Sequence, residues 1–216
     1  IGVKYPDKNV ITLVENAKRN LAQCFAYLLK TSRDVLVVSE ITLPEEVSEL
    51  VNSALRLNAG VSATMHSFSP KEVIPNLRNL MMKTPMYHDK STAEEEIAGC
   101  IDLIIHLKRL NTGRIVVDSI HEVYSNTSWR EEFVYEEAFK KDRDFMTMQL
   151  ISLGTKYLSS LMAGKQYKLK TLFKFQEGIG WQRPESPSEQ YLNKMSRYAG
   201  KEAVKKIKSI FCQQKI

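Results

Sequence analysis

Residues 33–40 read RDVLVVSE, in which Val35, Leu36, Val37 and Val38 run without a polar break and stop at Ser39-Glu40. A run that is apolar on both parities suits a strand buried on both faces, the condition of a parallel sheet covered by helices. Open sheets of that kind bind ligands beyond the carboxyl ends of their strands. The stretch therefore decides the fold class and also raises the question of what Glu40 does at such an edge.

The neighbouring sequence extends the parallel reading. Short β-branched runs at Val10–Leu13, Val61–Met65, Ile101–Leu107 and Arg114–Val117 alternate with helical segments. In one of these Leu21, Cys24, Phe25, Leu28 and Leu29 recur at helical spacing, and in the next Val47, Leu50, Val51, Ala54 and Leu55 do. Ser69-Pro70-Lys71-Glu72 and Ser186-Pro187-Ser188-Glu189 each offer an N-cap serine, a proline at the first helical position and a capping-box glutamate. Thr42 to Glu45 and Ser91 to Glu94 repeat the spacing, so capping explains most of these residues better than catalysis. Asn111-Thr112-Gly113 reads as a tight turn between antiparallel strands at a sheet edge, with Gly113 at positive φ.

After about residue 123 the pattern changes. Trp129–Lys141 is crowded with charge and aromatics, and Phe145–Met162 reads as an amphipathic helix closed by Gly164. Leu169–Phe175 reads as a strand, GIGWQRPESP as a loop, and the end as a helical pair broken at Gly200. The expected division is a sheet domain over residues 1–123 and a mostly helical appendage over 124–216.

Composition narrows the class. With 216 residues, 43% of them hydrophobic, the chain can bury a sizeable core. No apolar run is long enough to cross a bilayer, and IGVKYPDKN lacks the regions of a secretion signal, so a cytoplasmic location is expected. Cys24, Cys100 and Cys212 are too far apart for a metal knuckle and read as inert thiols. The net charge of +6 gathers in the tail from Lys194 onward. That tail reads first as a solvated helix face and second as a contact for acidic lipid, nucleic acid or a partner.

Two strands end in chemistry-bearing residues: Val35–Val38 in Ser39-Glu40 and Val61–Met65 in His66-Ser67. If they are neighbours, Glu40 and His66 share a rim, where a carboxylate can hold a Mg²⁺ shell or orient a water and an imidazole can stabilise a phosphoryl group. On residues alone, Glu40 serves equally well as an acid at the positive end of the following helix. His66 alone reads more readily as structural. His88, His106 and His121 show no partner spacing, and His106 reads as a packed or edge histidine.

Taken in order, RDVLVVSEI, LPEEVSELVNSALRLNAGVSATMHSFSPKEVIPNL and EEEIAGCIDLIIHLKRLNTGRIVVDSIHEV resemble the second half of the motor domain of secretion ATPases. These are the P-loop motors of type II and type IV secretion and of type IV and tight-adherence pili, and the likeness is nearest to the tight-adherence and conjugation branch. It covers residues 9–123 well and the remainder loosely. Ser39-Glu40 stands where that family carries the Gly-Glu of its Walker B strand. Thr64-Met65-His66 with Ser69-Pro70 matches its histidine box, and Ile101-Asp102-Leu103-Ile104, Arg109-Leu110, Gly113 and Ser119–Val123 match later pieces.

The resemblance implies a RecA-like P-loop NTPase core, mainly parallel with helices on both faces. It makes Glu40 the acid that acts on Mg²⁺ and water and His66 the residue near the γ-phosphate, with Ser39 and Thr64 beside them at the nucleotide. It implies ATP and Mg²⁺ as cofactors of the full-length protein. It also implies a homo-oligomeric ring, a hexamer by family habit, and inner-membrane platform proteins as partners at the cytoplasmic face. Nucleic acid is not expected as a partner. The sequence departs from the family at Ser39 for glycine and at Thr42 for an arginine, and no GxxxxGK[ST] occurs in it. This chain alone is therefore expected to be inactive, and the alternative is a non-catalytic remnant acting as a scaffold.

Overall fold

The apolar run of residues 35–38 makes a shorter strand than its length suggests. A computed structural model describes residues 9–16, 18, 20–28, 30–31, 34–56, 60–125, 147–148, 151–152, 154–155 and 167–212. The chain forms two units, Ile1–Met65 and His66–Ile216.

The first unit contains α1 (Leu21–Leu28), β1 (Leu36–Val38), α2 (Pro44–Arg56) and β2 (Val61–Ala63). β1 and β2 pair in parallel, with Leu36 opposite Val61 and Val38 opposite Ala63. Cys24 and Phe25 of α1, Leu36 and Val38 of β1, and Val47 and Val51 of α2 are buried. Val35 and Val37 point the other way and are 56% and 55% exposed. Asn20 and Gln23 form a reciprocal capping box: Gln23 N–H donates to Asn20 Oδ1 at 2.9 Å, and Asn20 N–H donates to Gln23 Oε1 at 3.2 Å. That cap starts α1 at Leu21. Val10–Leu13, expected as a strand, is not one; no described strand pairs with it, and an unpaired apolar run gains no ladder bonds.

The second unit contains α3 (Pro70–Met81), α4 (Lys90–Cys100), β3 (Leu103–Arg109), β4 (Ile115–Ser125), β5 (Tyr167–Gln176), β6 (Gly180–Gln182) and α5 (Glu189–Cys212). Its four strands are antiparallel in the order β3-β4-β5-β6. The β3–β4 hairpin is the antiparallel edge expected at Asn111–Gly113, but the sheet it belongs to is antiparallel throughout rather than mainly parallel. The reason lies in the connections: turns at Leu110–Gly113 and after Gln176 are far too short to cross over, so each can join only antiparallel neighbours. The molecule is mixed α/β, with one parallel pair and one antiparallel sheet. β4 runs on through residue 123, and β5 pairs along it, so this sheet joins residues on both sides of that position. The loop expected at GIGWQRPESP contains β6. The segments Trp129–Lys141 and most of Phe145–Met162 lie outside the described residues.

Ile74, Leu77 and Met81 of α3 and Ala93 and Ile97 of α4 are buried, as are Ile104, Val123 and Tyr167 of the sheet. Arg78 Nη1 lies 2.5 Å from Glu94 Oε2, joining α3 to α4 through a carboxylate that is 3% exposed. Glu94 is thus not the capping acid of α4. Asp89 caps that helix instead, accepting from Thr92 N–H at 2.7 Å and Thr92 Oγ1 at 2.8 Å. Ser69 does hold the N-cap position before Pro70, although its side chain makes no cap bond.

α5 breaks at Gly200, whose φ of 79° suits glycine. Lys208 Nζ comes within 3.3 Å of Glu189 Oε1, whereas 19 residues of straight helix would span about 28 Å, so the two halves fold back on each other. The helical pair expected from sequence is present. Its cap is Ser188 rather than Ser186: Tyr191 N–H donates to Ser188 Oγ at 3.0 Å. The Ser188 backbone N–H donates to Glu122 Oε2 at 2.9 Å, and its hydroxyl donates to Glu122 Oε1. Glu122 is 2% exposed, so this contact fastens α5 to β4 where water cannot compete. Ser188→Ala is expected to cost about 1–2 kcal/mol in urea denaturation of the chain, and Ser186→Ala less than about 0.5 kcal/mol.

Candidate functional site

The carboxyl ends of β1 and β2 are tied together beyond the last ladder pair. Ile41 N–H donates to the Thr64 carbonyl at 2.9 Å, and Thr64 Oγ1 donates to the Ser39 carbonyl. The two bonds hold Ser39, Glu40 and Ile41 alongside Thr64. Ile41 is buried and anchors the segment, while Ser39, Glu40 and Thr64 are exposed at the edge. Three of the four residues singled out by sequence therefore stand at one edge of a parallel pair. The fourth, His66, is exposed in the stretch that opens the second unit, ahead of α3.

The duty of capping α2 falls on another acid. Glu46 Oε2 accepts from Thr42 N–H at 2.7 Å, Leu43 N–H at 2.8 Å and Thr42 Oγ1 at 3.4 Å, and Glu46 is 4% exposed. With Pro44 as the first helical residue, the third is Glu46, so the capping spacing expected from Thr42 to Glu45 runs one residue later, from Leu43 to Glu46. Glu40 lies four residues before the helix and is not needed to satisfy its first amides.

A Mg²⁺ ion bound with a nucleotide takes one or two protein carboxylates and fills the rest of its shell with phosphate oxygens and water. One exposed carboxylate, on a segment tied to Thr64 through the Ser39 carbonyl, fits that pattern. It does not fit an all-protein cage, and among the described residues no group of three or more His, Cys, Asp or Glu is placed to hold a metal.

Two histidines that showed no partner spacing have partners across the sheet. His106 Nδ1 is 3.2 Å from Asp118 Oδ2. His121 Nε2 is 2.9 Å from Ser119 Oγ, and its Nδ1 is 3.2 Å from Thr171 Oγ1. Register shifts at His106/Leu107 and Ile120/His121 bring these groups together, and nothing in the linear spacing announces such shifts. Ser119 is buried, so the chain of hydroxyls and imidazoles binds strand to strand and offers no accessible nucleophile. Burial pushes the Cys100 thiol up to about 11, which leaves it protonated at neutral pH.

A groove of ≈ 210 Å³ beside α5 is lined in part by Asp102, Glu122, Tyr191 and Lys194. Its acids are engaged: Asp102 with Lys194 Nζ at 2.6 Å and Glu122 with Ser188. Comparison with protein-family models gives no match for the chain, and comparison with curated proteins gives none either. The edge at Ser39, Glu40 and Thr64 is the candidate site.

Burial, followed by the neighbouring His106, lowers the pKa of His121 below the usual imidazole value. The folded state therefore resists a proton that the unfolded state accepts near pH 6.5, and stability is lost as pH falls below that value. Urea midpoints measured at pH 7.5 and 5.5 should show this loss, and it should shrink in His121→Gln.

Proposed function

We propose that this chain is the carboxyl-terminal part of a ring-forming secretion-type P-loop ATPase with a RecA-like core. In this reading Glu40 is the Walker B acid and His66 the histidine-box residue. The observation that carries the proposal is the parallel pairing of β1 with β2, which sets Ser39-Glu40 beside Thr64 at one carboxyl edge. Two further facts support it. Glu46 takes the capping duty that would otherwise explain Glu40. Val35 and Val37 stand exposed on a parallel ladder, a type of sheet ordinarily covered on both faces, which suits two strands of a larger sheet.

The chemistry assigned to each residue follows from its place. Glu40 holds water of the Mg²⁺ shell and orients the attacking water, while the Ser39 and Thr64 hydroxyls line the approach of the phosphates. His66 senses the γ-phosphate. The phosphate cradle is absent from this sequence and is placed in a part of the protein outside it. ATP and Mg²⁺ are cofactors of the full-length protein. It works as a homo-oligomeric ring, taken as a hexamer, at the cytoplasmic face of the inner membrane. There it drives platform proteins of a pilus, secretion or conjugation apparatus.

A second reading, a scaffold without turnover, draws on Thr42. Where the resembling family places an arginine, Thr42 directs both its N–H and its hydroxyl to Glu46, so no charge reaches outward at that position. Glu40→Gln in the full-length protein separates the two. The ATPase reading expects turnover to fall by about 10²-fold or more with nucleotide affinity nearly unchanged. Turnover absent from the parent favours the scaffold, and turnover unaltered by the substitution removes Glu40 from the Walker B role.

A further inference from the structure

The antiparallel sheet gathers exposed aliphatic side chains and unpaired cations at one of its ends. Because β4 is antiparallel to both β3 and β5, the turn at Leu110–Gly113 and the turn between Gln176 and Gly180 lie at the same end. Register pairs place their neighbours on one face. Arg109 is opposite Ile115, Ile105 opposite Ile120, Ile120 opposite Phe173, and Phe175 opposite Trp181. On that face Ile105, Leu107 and Ile115 are 58–59% exposed, and Trp181 is 47% exposed, with Ile179 at 64% in the adjoining turn. Arg109 on that face and Arg114 in the turn beside Ile115 are exposed and make no ion pair with any described residue, while Lys174, opposite Ser119, stands on the other face.

We propose that this end of the sheet docks on the surface of an anionic phospholipid bilayer. Charge complementarity supports that occupant: residues 167–216 hold eleven basic and four acidic residues, a net +7 that exceeds the +6 of the whole chain. Aliphatic groups beside two arginines, with an indole among them, form the surface that settles at a headgroup boundary. A single-stranded nucleic acid would need bare aromatic faces for its bases. Here Phe173 is already taken, with Phe211 at 5.1 Å, Trp181 at 6.4 Å and the Arg183 guanidinium 5.9 Å over its ring. The proposal deepens the membrane placement of the motor reading, but it uses only residues of the second unit. Failure of the Glu40→Gln experiment leaves it standing, and the reverse holds too.

The test is co-sedimentation of the 216-residue chain with vesicles of phosphatidylcholine containing about a third phosphatidylserine, and with pure phosphatidylcholine. Retention is expected on the first only and should weaken with salt. Arg109→Gln with Arg114→Gln should lower partitioning about 25-fold, close to five-fold for each charge. In a Trp129→Phe background, Trp181 emission should shift to the blue and be quenched by brominated acyl chains. Equal retention on neutral vesicles, full retention by the double variant, or an unquenched Trp181 overturns the proposal. Retention on a single-stranded oligonucleotide without retention on vesicles overturns it as well. If the double variant does not fold by circular dichroism, quenching of Trp181 decides alone.

Discussion

Parallel strands cannot be joined by a tight turn, and that constraint shapes everything at the candidate site. Between Val38 and Val61 the chain must travel the length of the sheet and return, which it does through α2. The return delivers Thr64 to the edge where Ser39 and Glu40 emerge, and the Ile41–Thr64 and Thr64–Ser39 bonds lock that meeting. A hairpin in place of α2 would have put residues 39 and 64 at opposite ends of the pair. The second unit shows the contrary case: short turns, antiparallel strands, and polar side chains paired across the sheet instead of collected at one edge.

Both units start a helix on a buried glutamate. Glu46 receives the Thr42 and Leu43 amides, and Glu122 receives the Ser188 amide and hydroxyl. Each carboxylate is nearly inaccessible, so its bonds to backbone N–H groups face little competition from water and oppose the desolvation of the charge. Removing either partner would strand a buried charge or buried amides, a loss larger than that of an exposed cap. These acids are absorbed by structure. Glu40 differs from them in being exposed and in standing outside the capping arrangement of the helix that follows.

The first unit was largely legible because its signals are local. The run at 35–38, the helical spacing of Val47 and Val51, and the strand at 61–63 all reflect side-chain periodicity. What was missed depended on partners distant in sequence. Asp89 displaced Ser91 as a cap, which left Glu94 to Arg78. Ser188 displaced Ser186 because Glu122, far off in the chain, accepts its N–H. The partners of His106 and His121 depend on two register shifts. The antiparallel hairpin at Asn111–Gly113 was visible in its turn residues and β5 in the run at Leu169–Phe175, but the pairing of β5 with β4 joins residues far apart in sequence, and β6 lies in a stretch whose Gly and Pro content reads as a loop.

Exposed aliphatic groups carry different physical meanings in the two units. Val35 and Val37 lie on a ladder of two short parallel strands, and so short a parallel pair is a weak sheet in isolation. Their exposure there is most economically relieved by further strands and helices of the same sheet. Ile105, Leu107 and Ile115 belong instead to an antiparallel sheet that tolerates one wet face, has its other face packed on α3 and α4, and is four strands wide. Among the described residues the sheet is paired continuously from β3 to β6, so its exposed residues call for a reason other than folding. The bordering arginines supply one: such a surface repels other basic surfaces and is drawn to anionic ones.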